Sequence, residues 1–299
     1  MDPENHSHVY MGADIGCWRS FDSGLNWEPF SEGLPDVAVM DLKIHTKRLI
    51  RASTYGRGVY ERTLDNLPKQ GVELFIRHTQ LDRGRFVTVD NLPDPTKPGM
   101  VVKNGSSPDI KLDTPNSNGL YQFPLSNKYI NFYEFVDHLI DDYMIVATHS
   151  TSNIITRVYV QVHNHGVIPA NNVQVMILLS GFSPEGVPSL PANFDDNIRN
   201  GIPINNSNWK TLDIVTLDNI RVGSPKIAIF DLTSNILTSI STLNGNDHYY
   251  LLALIHHPDD PFKNSEIITD TLSKSERKAA LKNIKVIQFT GTLPPPLLP

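Results

Sequence analysis

Cysteine is nearly absent from this 299-residue chain: Cys17 stands alone, so no intramolecular disulfide can form and the fold must be held by packing. A lone thiol inside a strand pattern reads as a small buried apolar residue rather than a reactive one. No apolar run approaches the about 18 residues of a membrane-spanning helix. No long basic run is present either. The richest stretches are Lys47-Arg48 with Arg51, and Lys274 to Lys285 on an expected helix, in a chain of net charge −6. Nucleic acid and anionic membranes are therefore not the expected partners. The first fourteen residues lack a basic segment followed by an apolar one, so no secretory signal is expected. Synthesis is expected in the cytoplasm, with export by a non-Sec route left open.

What is present points to a soluble protein made of strands. Hydrophobic residues make up 39% and charged residues 19%, a balance that suits a buried core. The 18 glycines and 22 prolines are scattered, as turns between short strands require. The expected fold class is mainly β, with two short helices.

Residues 8–64 read as six strands in quick succession. They cover 8–14, 17–20, 27–30, 37–45, 49–54 and 58–64, and Gly56-Arg57-Gly58 makes a hairpin turn between the last two. Between the second and third lies Ser20-Phe21-Asp22-Ser23-Gly24-Leu25-Asn26-Trp27. In that octapeptide Asp22 can accept backbone N–H groups across the turn, Gly24 can supply a positive φ, and Trp27 can pack back over the hairpin. The stretch resembles the Asp box, Ser-x-Asp-x-Gly-x-x-Trp, of sialidase-like (BNR) and sortilin-type β-propellers. Ser20, Asp22, Gly24 and Trp27 would then be structural rather than catalytic, because Asp boxes lie on the propeller rim. Six strands make about one and a half four-stranded blades, whereas a propeller needs at least about four blades. No second box and no repeat of about 40–50 residues follows. Residues 1–65 are therefore expected to be the closing end of a larger propeller, with open sheet edges that seek a partner.

Residues 66–130 read as an extended connector, with a strand at 72–77 and an extended piece at 108–112. Residues 131–299 read as the second domain. Asn131 can cap a helix over 132–142, whose apolar residues recur at helical spacing. Val158, Val160 and Val162 alternate along one strand, and Val173, Val175, Ile177 and Leu179 along the next. The loop from His165 to Asn171 is expected to join them into a hairpin of two half-buried strands. That pair resembles CARDB-like immunoglobulin-type domains of bacterial surface proteins, which implies an immunoglobulin-like β-sandwich. Further strands are expected at 211–217, 226–231, 248–255 and 284–289. Ser273-Lys274-Ser275-Glu276 has the form of a capping box and predicts a helix through Lys282, closed by Asn283.

The resemblance to sialidase-type propellers implies a search for an arginine cluster, a Tyr–Glu pair and an acid. Arg19, Arg51, Arg57, Tyr55, Tyr60 and Glu61 are available, with Asp14, Asp22 and Asp41. Glycoside hydrolysis needs two carboxylates about 5–10 Å apart, and so few strands do not converge them. No catalytic and no cofactor-binding residues are assigned. His163, His165, His256, His257 and Asp259 are the weak candidates for metal ligands, from two strand ends. Set against them, 256 and 257 should point to opposite faces of a strand, and Asp259-Asp260-Pro261 reads as a turn. No cofactor is expected. The leading expectation is a non-enzymatic binding or structural module that engages protein or glycan, or self-associates through sheet edges. Its alternatives are a carbohydrate-active protein, either glycosidase or lectin, and an effector delivered by a specialised secretion or phage-like injection system.

Overall fold

The computed structural model describes residues 1–3, 6–31, 33–45, 48–64, 71–78, 105–114, 121, 143–147, 154–166, 168–181, 183, 185–222, 224–240, 248–263 and 265–289. The helix expected over 132–142 lies outside the described residues. The chain is mainly β, and its two compact units are Met1–Glu73 with His163–Pro169 and Ile220–Pro225, and the remainder. No helix among the described residues is long and apolar enough to cross a membrane.

The first unit holds two three-stranded antiparallel sheets. One contains β1 (Val9–Ala13), β2 (Gly16–Ser20) and β3 (Glu28–Pro29); the other contains β4 (Val39–His45), β5 (Leu49–Thr54) and β6 (Gly58–Thr63). Alternation sends Cys17, Val39, Ile50 and Ala52 inward, where they pack with Phe30 and Leu64. Burial pushes the Cys17 thiol pKa up, as an inert core cysteine requires. Gly12 lets β1 approach β4, since a Cβ there would fall 2.8 Å from the Val39 carbonyl oxygen. The buried Asn164 ties down the Asn-x-Gly turn. Its Oδ1 accepts the N–H groups of Glu73 and Gly166, and its Nδ2 donates to the carbonyls of Ile168 and Ile220.

The second unit is built on a five-stranded sheet in the order β12-β11-β14-β15-β9. Its strands are β9 (Tyr143–Ala147), β11 (Val173–Gly181), β12 (Lys210–Leu217), β14 (His248–His256) and β15 (Ala279–Phe289). All neighbours are antiparallel except β15 and β9. A further sheet places β10 (Ile154–Asn164) beside β13 (Lys226–Thr233), with β7 (Leu74–Phe75) and β8 (Ile110–Asp113) also bonded to β10. The extended pieces expected within the connector are thus strands of this sheet. Among the described residues three short helices accompany the sheets: α1 (Phe194–Arg199), α2 (Ser234–Thr238) and α3 (Thr269–Ser275).

Both faces of β11 and β14 are buried. Met176, Leu178, Leu252 and Leu254 lie on one face, packed with Phe194 and Ile198 of α1, Leu272 of α3 and Trp209. Val175, Ile177, Leu251, Ala253 and Ile255 alternate onto the other, and all are fully buried. Each such aliphatic side chain contributes about 1.5–3 kcal/mol on burial.

Three expectations fail here for one reason. The strands around Val158–Val162 and Val173–Leu179 do not form a hairpin: β10 pairs with β13, and β11 with β12 and β14. Tyr159 and Gln161 are buried as fully as the valines between them, so β10 is not a half-buried strand. The helix expected through Lys282 ends at Ser275, and Ala279–Lys282 instead begin β15, with Asn283 paired to Tyr250 rather than capping. Ala279, Ala280 and Leu281 bury themselves against β14, an apolar contact that a helix facing solvent would forgo. The basic stretch is accordingly no solvated helix face, because Lys278 and Lys282 are buried. Of the two helices expected, one lies outside the described residues; α1 and α2 were not expected, because they are too short to show a period.

Candidate functional site

In the first unit the turn at 20–27 is a closed set of hydrogen bonds. Ser20 Oγ donates to Asp22 Oδ1 at 2.8 Å and accepts the Gly24 N–H at 2.8 Å. The Asn26 N–H donates to Asp22 Oδ1 at 2.9 Å, and Asn26 Nδ2 to Asp22 Oδ2 at 2.6 Å. Gly24 has φ +94°, and Trp27 Nε1 donates to the Gly24 carbonyl at 3.0 Å. Partial burial works against charge on Asp22, yet the bonds from Asn26 and Ser20 outweigh it and hold the carboxyl below its ordinary range. An Asp22→Ala chain is expected to lose about 1 kcal/mol, the low end for bonds to a charged acceptor that water partly reaches. Urea unfolding of that chain checks it, and an unchanged midpoint would show that the turn carries no stability of its own.

Three arginines of this unit, Arg19, Arg48 and Arg51, are committed to ion pairs. Arg19 stands opposite Glu28 in the β2–β3 register and ion-pairs with it, its guanidinium 4.6 Å from the Phe21 ring centre and 4.8 Å from that of Phe30. Arg51 and Glu61 pair across β5 and β6. Arg48 grips the buried Asp2 carboxylate at 2.6 and 2.7 Å. Arg57, Tyr55, Asp14 and Asp41 are exposed. Each arginine pair neutralises its own carboxylate locally, which leaves little positive field for a substrate acid.

The histidine candidates fall at separate places. His163 is half-buried in β10; His165 lies just past the end of β10, its Nε2 3.9 Å from Glu28 Oε2. His257 is buried, and its Nδ1 accepts the N–H of Asp259, whose own side chain is exposed. His256 ends β14 almost wholly buried, with Nδ1 4.0 Å from Asp195 Oδ1 on α1. Burial lowers the His256 pKa; Asp195 opposes that shift, while Arg199, His257 and Lys278 reinforce it. No group of three or more His, Cys, Asp or Glu gathers around one point among the described residues.

Sequence reasoning found His256 but missed Asp195 and Gln174. Gln174 stands directly opposite His256 in the β11–β14 register. Asp195 is brought there by a six-residue helix that no periodicity announces. It also missed the buried ion pair of the same unit. Lys278 Nζ lies 2.7 Å from Glu276 Oε1 and 3.5 Å from Asp260 Oδ1. With no well-directed hydrogen bond from Nζ, the contact is held by charge and proximity.

No protein-family model matches the chain, and no curated protein sequence does. Among solved structures it is similar to the CARDB domain of a Pyrococcus furiosus protein in complex with di-metal ions, at 12% identity and TM-score 0.27, over 49% of this chain and 87% of that one. It is similar to a Listeria innocua β-glucosidase in complex with isofagomine at 11% identity and TM-score 0.26, over 75% of this chain and 22% of that one. It is also similar to Escherichia coli α2-macroglobulin activated by porcine elastase at 10% identity and TM-score 0.25, over 94% of this chain and 19% of that one. Scores this low say nothing of what this chain binds or does.

Proposed function

We propose that the chain is a non-enzymatic interaction module that joins an immunoglobulin-like sandwich, the second unit, to Asp-box propeller-type blade strands, the first. The observation that carries it is the state of the first unit's sheets. Among the described residues each has three strands, so β1, β3, β4 and β6 are edge strands there. Tyr55 and Val59 are exposed where β5 turns into β6, with Tyr55 75% exposed, and Met40 is exposed on β4 beside the end of β5. An edge strand beside exposed apolar side chains is a template for pairing with another strand. The bonded turn at Ser20–Trp27 supports the blade reading, and the two-sided burial of β11 and β14 supports a packed second domain.

The occupant of the edge is a strand of a protein partner or of a second copy. Light scattering across a concentration range tests the second copy. The mass is expected to rise with concentration, and Val59→Lys, which adds a charge to the exposed face of β6, is expected to return it to the monomer. A wild-type chain that stays monomeric throughout, and that captures neither a protein partner nor any sugar on a glycan array, would refute the module. Fluorogenic glycosides are expected to show no turnover, because Arg19 and Arg51 are already spent on Glu28 and Glu61.

A further inference from the structure

We infer that His256, Asp195 and Gln174 form a binding site for one divalent transition-metal cation at the end of β14. Three polar side-chain atoms meet there without a hydrogen-bond partner: His256 Nδ1, Asp195 Oδ1 and Gln174 Oε1. His256 is only 4% exposed, so its ring nitrogen has no access to bulk water. The two oxygens are acceptors alone, and with the ring proton on Nε2 the imidazole Nδ1 is an acceptor too, so in that tautomer none of the three can satisfy the others. Leaving them unmatched is costly, and a cation answers all three at once.

The placement is built by three elements. Gln174 and His256 face each other across the β11–β14 ladder, which sets their Cβ atoms about 5 Å apart on one face of the sheet. The short α1 lays Asp195 over them. Arg199 holds Asp195 through Oδ2 at 3.1 Å, which turns Oδ1 toward the ring. The Gln174 amide nitrogen lies toward Gly201, where an added Cβ would come within 3.9 Å of it. One imidazole nitrogen with two oxygens is a donor set for zinc, nickel or cobalt rather than for calcium or magnesium. Ligand atoms about 2.1 Å from zinc at a tetrahedral angle stand about 3.4 Å apart. The observed separation between Nδ1 and Oδ1 is 4.0 Å, a little longer than that. Arg199, His257 and Lys278 are the positive or titratable neighbours that oppose a cation. Arg199 is already neutralised by Asp195 and Asp196, and Lys278 by Glu276.

The test is calorimetric titration of Zn²⁺ into the chelator-stripped full chain, with Co²⁺ as a visible-absorption probe. One saturable equivalent is expected, weakened more than about a hundredfold by Asp195→Asn, beyond the about 10–100-fold that losing a residue that merely orients a ligand costs. His256→Gln is expected to remove it, and His163→Ala to leave it intact. Asp195→Asn keeps a partly exposed helix position, so the inference stays testable where His256→Gln does not fold. No saturable binding, binding unchanged in Asp195→Asn, or binding lost in His163→Ala would overturn it; in the first case an enclosed water bridges the three atoms.

Discussion

Lys278→Ala is expected to lower the unfolding free energy by about 3–5 kcal/mol, the cost of leaving a buried charge without its partner. Lys278 and Glu276 are both almost fully buried, so solvent screens their attraction little. Alanine would take away the ammonium 2.7 Å from the Glu276 carboxylate, which keeps the Lys263 N–H at 2.8 Å and the Lys278 N–H at 3.3 Å among its donors. Removing both charges with apolar residues, Lys278→Met with Glu276→Leu, is expected to recover much of that loss, because a buried ion pair is not intrinsically better than packing. Equilibrium unfolding in urea separates these outcomes. A double variant that loses the sum of what Lys278→Met and Glu276→Leu lose singly would show the pair to be uncoupled.

The same carboxylate predicts the acid response of the second unit. Burial works to raise the Glu276 pKa, but Lys278 and the two backbone donors prevail and hold it below its ordinary 4.5. Below 4.5 the unfolded chain then takes up the proton before the folded one does. Stabilisation by Glu276 is therefore complete above that pH and is lost as the pH falls through the folded value. A Glu276→Gln chain is expected to lose this part of the acid dependence, with the difference from wild type shrinking as the pH drops below about 4.

Trp209→Ala is the second large effect, expected at about 3–5 kcal/mol. Trp209 is fully buried among Met176, Leu178 and Phe194, and its Nε1 donates to the Ser189 carbonyl at 3.1 Å. Trp209→Phe keeps most of the packing and gives up that bond, so about 1–2 kcal/mol is expected there. Equal losses in the two variants would mean that the hydrogen bond rather than the volume dominates. A loss under about 1 kcal/mol for alanine would remove Trp209 from the core.

The first unit was the more legible of the two. Val9–Ala13, Leu49–Thr54 and Gly58–Thr63 lie within the strands expected at 8–14, 49–54 and 58–64, and the Ser20–Trp27 turn makes the bonds its residue types allow. Those features are local: a side chain two to four residues from its partner finds it whatever the rest of the chain does. The second unit read less well because its signals were not local. Ser273-Lys274-Ser275-Glu276 is a helix start by its own chemistry, yet the helix is already ending there, and Glu276 turns instead to Lys278 and Lys263. Val173–Leu179 looked half-buried because its valines alternate, but the intervening Met176 and Leu178 were a second buried face.

The sequence alone determined that the chain would be strand-rich, where most strands lie, and that no disulfide would brace them, since hydrophobic period, turn residues and cysteine number are properties of neighbours along the chain. Tertiary structure alone decided which strands share a sheet, that Lys278 is buried beside Glu276, and that Asp195 and Gln174 converge on His256. Those outcomes depend on burying two faces of β11 and β14 at once. The free energy of that burial belongs to contacts between segments tens of residues apart, which no local pattern encodes.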